Sequence, residues 1–150
     1  MGAGISMKKY LKDIFLLSFV IIIGVTLFFV LKVKKIEGSN AYIYYKNEVY
    51  AIVDFQKQKI EITTSIKEGY PKLTSKDEIV LLGDYKKGDQ KTYVYIQADF
   101  ELEKVRIRKD ESPYQIAVNR GWYDGNGLPL VSAPNSISII FKKSEVDSSV

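Results

Sequence analysis

The sequence predicts a mostly β protein: one N-terminal transmembrane α-helix followed by a small compact β-sandwich or barrel-like domain. Three observations carry this expectation. Residues Ile14 to Leu31 run for eighteen positions without a charge. After Gly38 the pattern changes to short apolar–polar alternations separated by turn-forming residues, with no long amphipathic helix. The remaining length suits one domain with one core rather than two.

Residues 1–13 read as a basic N-terminal tail carrying Lys8, Lys9 and Lys12. The segment 14–31 then makes a helix of roughly 27 Å, near the thickness of a bilayer's hydrocarbon core. Its interruptions are Ser18, Gly24 and Thr26, which expose no polar group or bond back to the helix. A soluble helix of this length would carry a polar stripe. A cleaved signal peptide is the nearer alternative, since it also pairs a basic start with an apolar run. The run here is longer than a usual signal core and exits into Lys32, Lys34 and Lys35, so an uncleaved signal anchor is expected. Three lysines on each side leave the positive-inside count tied. A short tail ahead of a first hydrophobic segment usually stays cytoplasmic, which places the following domain outside. Gly2 and Ser6 fit the myristoylation pattern M-G-x-x-x-S, a match two residues deep and redundant beside a spanning helix; a start at Met7 accounts for it as well.

A spacer, 32–40, leads to a β domain over 41–143 and a polar tail, 144–150. Strands are expected at Ala41–Tyr45, Val49–Phe55, Lys59–Thr63, Glu78–Leu82, Thr92–Leu102, Val105–Lys109, Gln115–Asn119 and Ser136–Lys142. Val49, Ala51, Val53 and Phe55 share one face by the period of two, as do Phe100 and Leu102. Turn chemistry separates the strands at Lys46-Asn47, Gly69-Tyr70-Pro71, Lys87-Gly88-Asp89 and Asp124-Gly125-Asn126-Gly127. The last resembles a calcium loop only in part, because the further spaced oxygen ligands are missing; a tight turn is expected.

Charge divides between the two regions. Of 22 Lys and Arg, six flank the helix; from Gly38 onward 16 basic residues face 16 acidic ones. A neutral domain lacks the electrostatic footprint of a phosphate-backbone binder. The local exception is Lys104, Arg106 and Arg108, which a strand would place on one face opposite Val105 and Ile107. With Trp122 and Tyr123 they form the candidate interaction surface; a solvated sheet face is the plainer reading. The chain contains no Cys and no His, which excludes thiol nucleophiles, imidazole bases, Cys/His zinc sites and disulfides within it. No catalytic, metal or cofactor set is legible. Ten of the eleven tyrosines follow Gly38. Half-buried strand positions suit them; a stacking platform for flavin, sugar or a base is the functional alternative.

The run Val105 to Pro113 (VRIRKDESP), then Gln115 to Val118, Gly121-Trp122, Leu130 to Asn135 (LVSAPN) and the apolar strand Ser136 to Phe141 resembles the NusG domain II family. The family-motif positions are Ser112, Pro113, Ala117, Gly121, Trp122, Ser132, Pro134 and Asn135. Where that family commonly carries cysteine, this chain has Ser112, Ala117 and Ser132, so a thiol, disulfide or metal role cannot operate here. The resemblance implies a small β fold, often behind one N-terminal helix and outside the membrane of Gram-positive bacteria. It carries over no catalytic residue. It further implies a non-catalytic accessory protein with a membrane or cell-surface protein partner, such as a component of a flavin-based extracellular electron-transfer system. The alternative is a nucleic-acid or transcription-linked module, which requires a cytoplasmic domain. An enzyme working by carboxylates alone finds no pair that can be placed across a cleft.

Overall fold

The computed structural model of the chain describes residues 3–32 and 38–143. The expectations for 33–37, including Lys34 and Lys35, and for the tail 144–150 lie outside the described residues. The chain divides into two units, Met1–Lys35 and Ile36–Val150.

In the first unit a single helix, α1, runs from Ala3 to Lys32, so much of the basic tail is helical too. Every side chain from Met7 to Val30 is exposed in the structure, and the helix is long and apolar enough to cross a membrane. The two hydroxyls inside its uncharged run are satisfied locally: Ser18 Oγ donates to the Phe15 carbonyl at 2.9 Å and Thr26 Oγ1 to the Ile22 carbonyl at 2.7 Å. That removes the main cost of carrying hydroxyls in an apolar helix.

The described residues of the second unit contain nine strands: β1 (Ser39–Tyr45), β2 (Glu48–Asp54), β3 (Lys59–Ile62), β4 (Lys72–Ser75), β5 (Glu78–Lys87), β6 (Gln90–Asp99), β7 (Lys104–Asp110), β8 (Leu130–Ser132) and β9 (Ile137–Lys143). A short helix α2 (Ile116–Arg120) and two single 3-10 turns, Pro113–Gln115 and Ala133–Asn135, lie between β7 and β9. The strands form two antiparallel sheets in the orders β3-β2-β1-β9-β8 and β4-β5-β6-β7. Of the two expected architectures this is a sandwich rather than a barrel, because the two sheets remain separate. Alternation explains the core: Ile43, Val53 and Ile139 from one sheet meet Leu81, Ile96 and Ile107 from the other, all within one apolar cluster. Each such side chain contributes roughly 1.5–3 kcal/mol by leaving water.

The β1–β2 hairpin turns on Lys46 and Asn47, both at positive φ (47° and 66°), the geometry that matches strand twist. One residue later the register slips: Ile43 faces Ala51 but Tyr44 faces Val49, leaving Tyr50 as an extra residue turned toward the core edge. Ala51, Val53 and Phe55 are buried as the alternation predicts, while Val49 beside the bulge is only half-buried.

Three expectations are corrected. Gln115–Asn119 is not a strand: Gln115 closes a 3-10 turn and the following residues coil into α2, burying Ala117. Gly121, at φ 73°, ends that helix with its N–H on the Val118 carbonyl. The strand expected to reach Leu102 stops at Asp99, whose Oδ1 accepts the Leu102 N–H at 2.9 Å and bends the chain. Phe100 therefore packs on the core while Leu102 is exposed. Strands β4 and β8 were not anticipated, since β4 is exposed throughout and β8 is three residues long, too little for a period-two signal.

Two glycines are required by close approach. A Cβ on Gly125, at φ 93°, would stand 2.8 Å from Phe141 Cγ. A Cβ on Gly83 would overlap the Asn135 side-chain oxygen and lie 3.0 Å from Thr92 Oγ1. Gly83→Ala is accordingly expected to destabilise the domain by roughly 1–3 kcal/mol, measured in detergent by denaturant titration of Trp122 fluorescence on the full chain. Gly24→Ala, with nothing within 4 Å of its added methyl group, serves as the silent control.

Candidate functional site

Strand β7 positions the centre of the site. Val105 and Ile107 point inward, and continued alternation would put Lys109 inward and Asp110 outside. Instead Tyr95 faces Lys109 while Ile96 faces Ile107, so Arg108 is an extra residue and Asp110 turns into the interior, 3% exposed. A buried carboxylate is costly unless hydrogen bonds replace its hydration. Asp110 Oδ1 accepts the Ser112 N–H at 2.8 Å and Asn135 Nδ2 at 2.9 Å, and Oδ2 accepts Ser132 Oγ at 2.5 Å.

The partners are linked in turn. Asn135 Nδ2 also donates to Ser132 Oγ at 3.0 Å, and Asn135 Oδ1 accepts the Tyr85 N–H at 3.1 Å. Thr92 Oγ1 donates to the Tyr85 carbonyl. Ser132 belongs to one sheet; Asp110, Tyr85 and Thr92 belong to the other. The network is therefore a polar clasp across the sandwich, and among the described residues no buried side-chain nitrogen or oxygen lacks a hydrogen-bond partner.

Above the clasp the chain leaves β7 through a strained turn. Tyr114 (φ 68°, ψ −15°) and Gln115 (φ 51°, ψ 35°) are consecutive left-handed residues, each costing on the order of 1–3 kcal/mol. Gln115 Nε2 holds the turn by donating to the Asp110 carbonyl and, at 2.7 Å, to the Ser112 carbonyl. The result is a Tyr114 side chain 87% exposed and an Ile116 side chain 73% exposed. Beside them is a cleft of ≈ 240 Å³ lined by Ser112, Pro113, Ala117, Val131, Ser132 and Pro134, with Asp110 also in its wall.

Six of the eight motif positions thus converge. Ser112, Ser132 and Asn135 make the clasp, Pro113 and Pro134 lie in the 3-10 turns beside it, and Ala117 packs inward from α2. Ser112 and Ala117 are brought next to Ser132 from distant sequence, but they supply hydrogen bonds and packing rather than reactive groups. Asp110 was missed because its strand alternation placed it outside until the bulge reversed it.

The candidate basic surface assembles in part. Lys104, Arg106 and Arg108 do share the outer face of β7. Arg106 stacks over Trp122 at 4.5 Å and donates to Gln97 Oε1 through Nε (3.0 Å) and a terminal nitrogen (2.8 Å). Arg108 clamps the Glu78 carboxylate, with Nε at 2.5 Å and a terminal nitrogen at 3.2 Å, and lies over Tyr95. Both guanidinium groups are thus committed to neighbours. Trp122 is 41% exposed, but Tyr123 is a correction: it is 5% exposed, edge-on to Phe141 at 5.2 Å, so it belongs to the core. Burial raises its hydroxyl pKa despite the nearby Arg120. In the Asp124–Gly127 turn, Asp124 Oδ1 accepts the Asn126 N–H at 3.0 Å, an ordinary Asx turn. Among the described residues no group of three or more Asp or Glu could hold a metal.

The Arg108 clamp holds Glu78 below the usual glutamate range. A depressed carboxylate stabilises the fold above its unfolded pKa and loses that contribution as pH falls through its folded pKa. Arg108→Ala should therefore flatten the acid limb of the stability–pH curve, read by thermal melts from neutral pH down through the carboxylate range. Asp110→Asn should be worse at neutral pH, since it swaps an acceptor oxygen for a donor facing other donors. A loss of roughly 2–4 kcal/mol is expected in denaturant titration.

The NusG domain II family model matches residues 14–145, the helix included. Among solved structures the chain is similar to the Lin0431 protein from Listeria innocua, with 20% identity in both its forms. The crystal structure covers 71% of this chain and 98% of that one at a TM-score of 0.47; the solution NMR structure covers 78% and 84% at 0.46. It is also similar to a DUF1312 family protein, EF3258, from Enterococcus faecalis V583, with 19% identity over 71% of this chain and 99% of that one at 0.46. No curated protein matches it. The sequence motif, the two-sheet fold that joins its pieces and the extent of the family match agree: this chain belongs to the NusG domain II family.

Proposed function

We propose that the protein is a membrane-anchored, extracytoplasmic, non-catalytic interaction protein, an accessory component of a membrane complex that docks its partner on the surface around Tyr114. The observation that carries this is a pair of large apolar side chains, Tyr114 and Ile116, held almost fully in solvent by a strained turn that the buried clasp fixes from below. Exposed aromatic anchors beside a small cleft are the usual hot spots of protein interfaces. A rigid turn also avoids part of the ordering cost of binding.

The helix supports the anchoring, and the short spacer after it would hold the domain at high effective concentration near other membrane proteins. The family resemblance supplies the partner class, a membrane complex such as a flavin-based extracellular electron-transfer system. A nucleic-acid role is disfavoured by the domain's neutral charge and by the engagement of Arg106 and Arg108 with Gln97 and Glu78.

Protease added to intact cells should remove a C-terminal epitope tag without lysis; protection until lysis would reverse the topology. A photo-crosslinker replacing Tyr114 should then capture a membrane protein. The double substitution Tyr114→Ser and Ile116→Ser should cut copurification of that protein by about tenfold or more, with the Trp122 fluorescence melt unchanged as the check on folding.

A further inference from the structure

A second concave site differs from the first in chemistry, and Gly83 of its lining packs on the clasp's Asn135. The crossover from β3 to β4 carries the chain from one sheet to the other, and its turn forms one wall of a cleft of ≈ 340 Å³. That volume falls within the range of small-molecule sites. The wall is built rather than loose. Lys67 and Tyr70 exchange backbone hydrogen bonds of 2.8 and 3.0 Å around Glu68 and Gly69, both at positive φ. Thr63 ties the start of the crossover to β2 through its N–H on the Tyr50 carbonyl (3.0 Å) and its hydroxyl on the Val49 carbonyl (2.8 Å). Glu68 is further pinned by Lys91.

Aromatic rings flank the opening. Tyr45 and Tyr50 stand 4.9 Å apart on the first sheet, Tyr50 being delivered there by the β2 bulge. Tyr70, packed against Tyr93 at 5.1 Å, closes the other side, and Leu81 and Leu82 belong to the apolar lining. The polar lining mixes donors and acceptors: the Ser65 hydroxyl, the Lys67 ammonium, the Glu68 carboxylate and the tyrosine hydroxyls. Charge is close to balanced, with Glu68 matched by Lys91, and Asp84 beside Tyr45 matched by Lys46 at 3.7 Å. Among the described residues no arginine and no helix N-terminus lines the cleft, and its one lysine, Lys67, is followed directly by the Glu68 carboxylate, so phosphate meets no net positive charge there.

We propose that this cleft binds a neutral saccharide. A sugar ring presents apolar C–H faces that lie against tyrosine rings, and a rim of hydroxyls that both donate and accept. Tyrosine walls with a mixed, nearly neutral rim complement both features. An entirely apolar ligand would make no use of the polar rim, and a nucleotide's phosphates would meet Lys67 only beside the Glu68 carboxylate.

The test uses the full chain in lipid nanodiscs, with amide NMR shifts of residues 65–70 and 81–83 as the readout. Chitotriose, cellotriose and maltotriose are each titrated to about 20 mM, a range that captures dissociation constants on the order of 1 mM. At least one should give saturable shifts confined to these residues, weakened about tenfold or more by Tyr70→Ala and less by Ser65→Ala. Tyr114→Ser, at the separate docking surface, should leave the sugar affinity unchanged, so failure here and failure of the docking reading are distinguishable. Absence of saturable shifts with all three sugars would overturn the proposal. So would undiminished binding in Tyr70→Ala, or saturable binding of inorganic phosphate at the same amides.

Discussion

The fold depends on a buried carboxylate being fully satisfied. Asp110 joins the two sheets because its donors come from both sides of the sandwich: Ser132 and Asn135 from one, its own Ser112 turn from the other. Removing any single donor leaves a buried carboxylate oxygen short of a partner, whereas the complete set replaces hydration with fixed geometry. Apolar packing alone would hold the sheets together but would tolerate sliding. The clasp specifies one alignment, and through Gln115 it also fixes the turn that carries Tyr114.

The sequence made the outline of this fold legible and hid its centre. The uncharged run 14–31, the alternation at Ala51, Val53 and Phe55 and the Lys46-Asn47 turn each carry a local signal that the structure keeps. The Gln115–Asn119 segment misled because alternation of Ile116 and Val118 is compatible with a strand, while the helix there is imposed by packing against β7 and β8 and stopped by Gly121. Asp110 was hidden for a more general reason. Bulges change which face a residue occupies, and nothing local in VRIRKD announces that Arg108 is the extra one. Trp122 and Tyr123 show the same limit: neighbours in sequence, they part between surface and core. The motif positions Ser112, Ser132 and Asn135 were legible only through resemblance, and their physical role appeared once Asp110 joined them.

Of the two serines at positions where the family commonly carries cysteine, Ser132 fits that role through its hydroxyl, whereas Ser112 contributes its backbone N–H and carbonyl. Ser132 donates to a carboxylate and accepts from an amide in the same network, a pairing that a hydroxyl performs better than a weakly bonding thiol. Ala117, at the third such position, is the buried residue by which α2 packs on the core.

The placement of β1 has a consequence for how the domain is made. It lies in the middle of the five-stranded sheet, paired on one side with β2, its neighbour in sequence, and on the other with β9, the last strand, through seven residue pairs from Ser39↔Lys143 to Tyr45↔Ile137. On a growing chain β1, β2 and β3 can associate early, but the other edge of β1 has no partner until β9 has been synthesised. Such an edge is a template for pairing with other chains, and closure between distant segments is slow. From the completion of β1 until β9 is made, therefore, the strand destined for the interior of the sheet is an exposed rim of it.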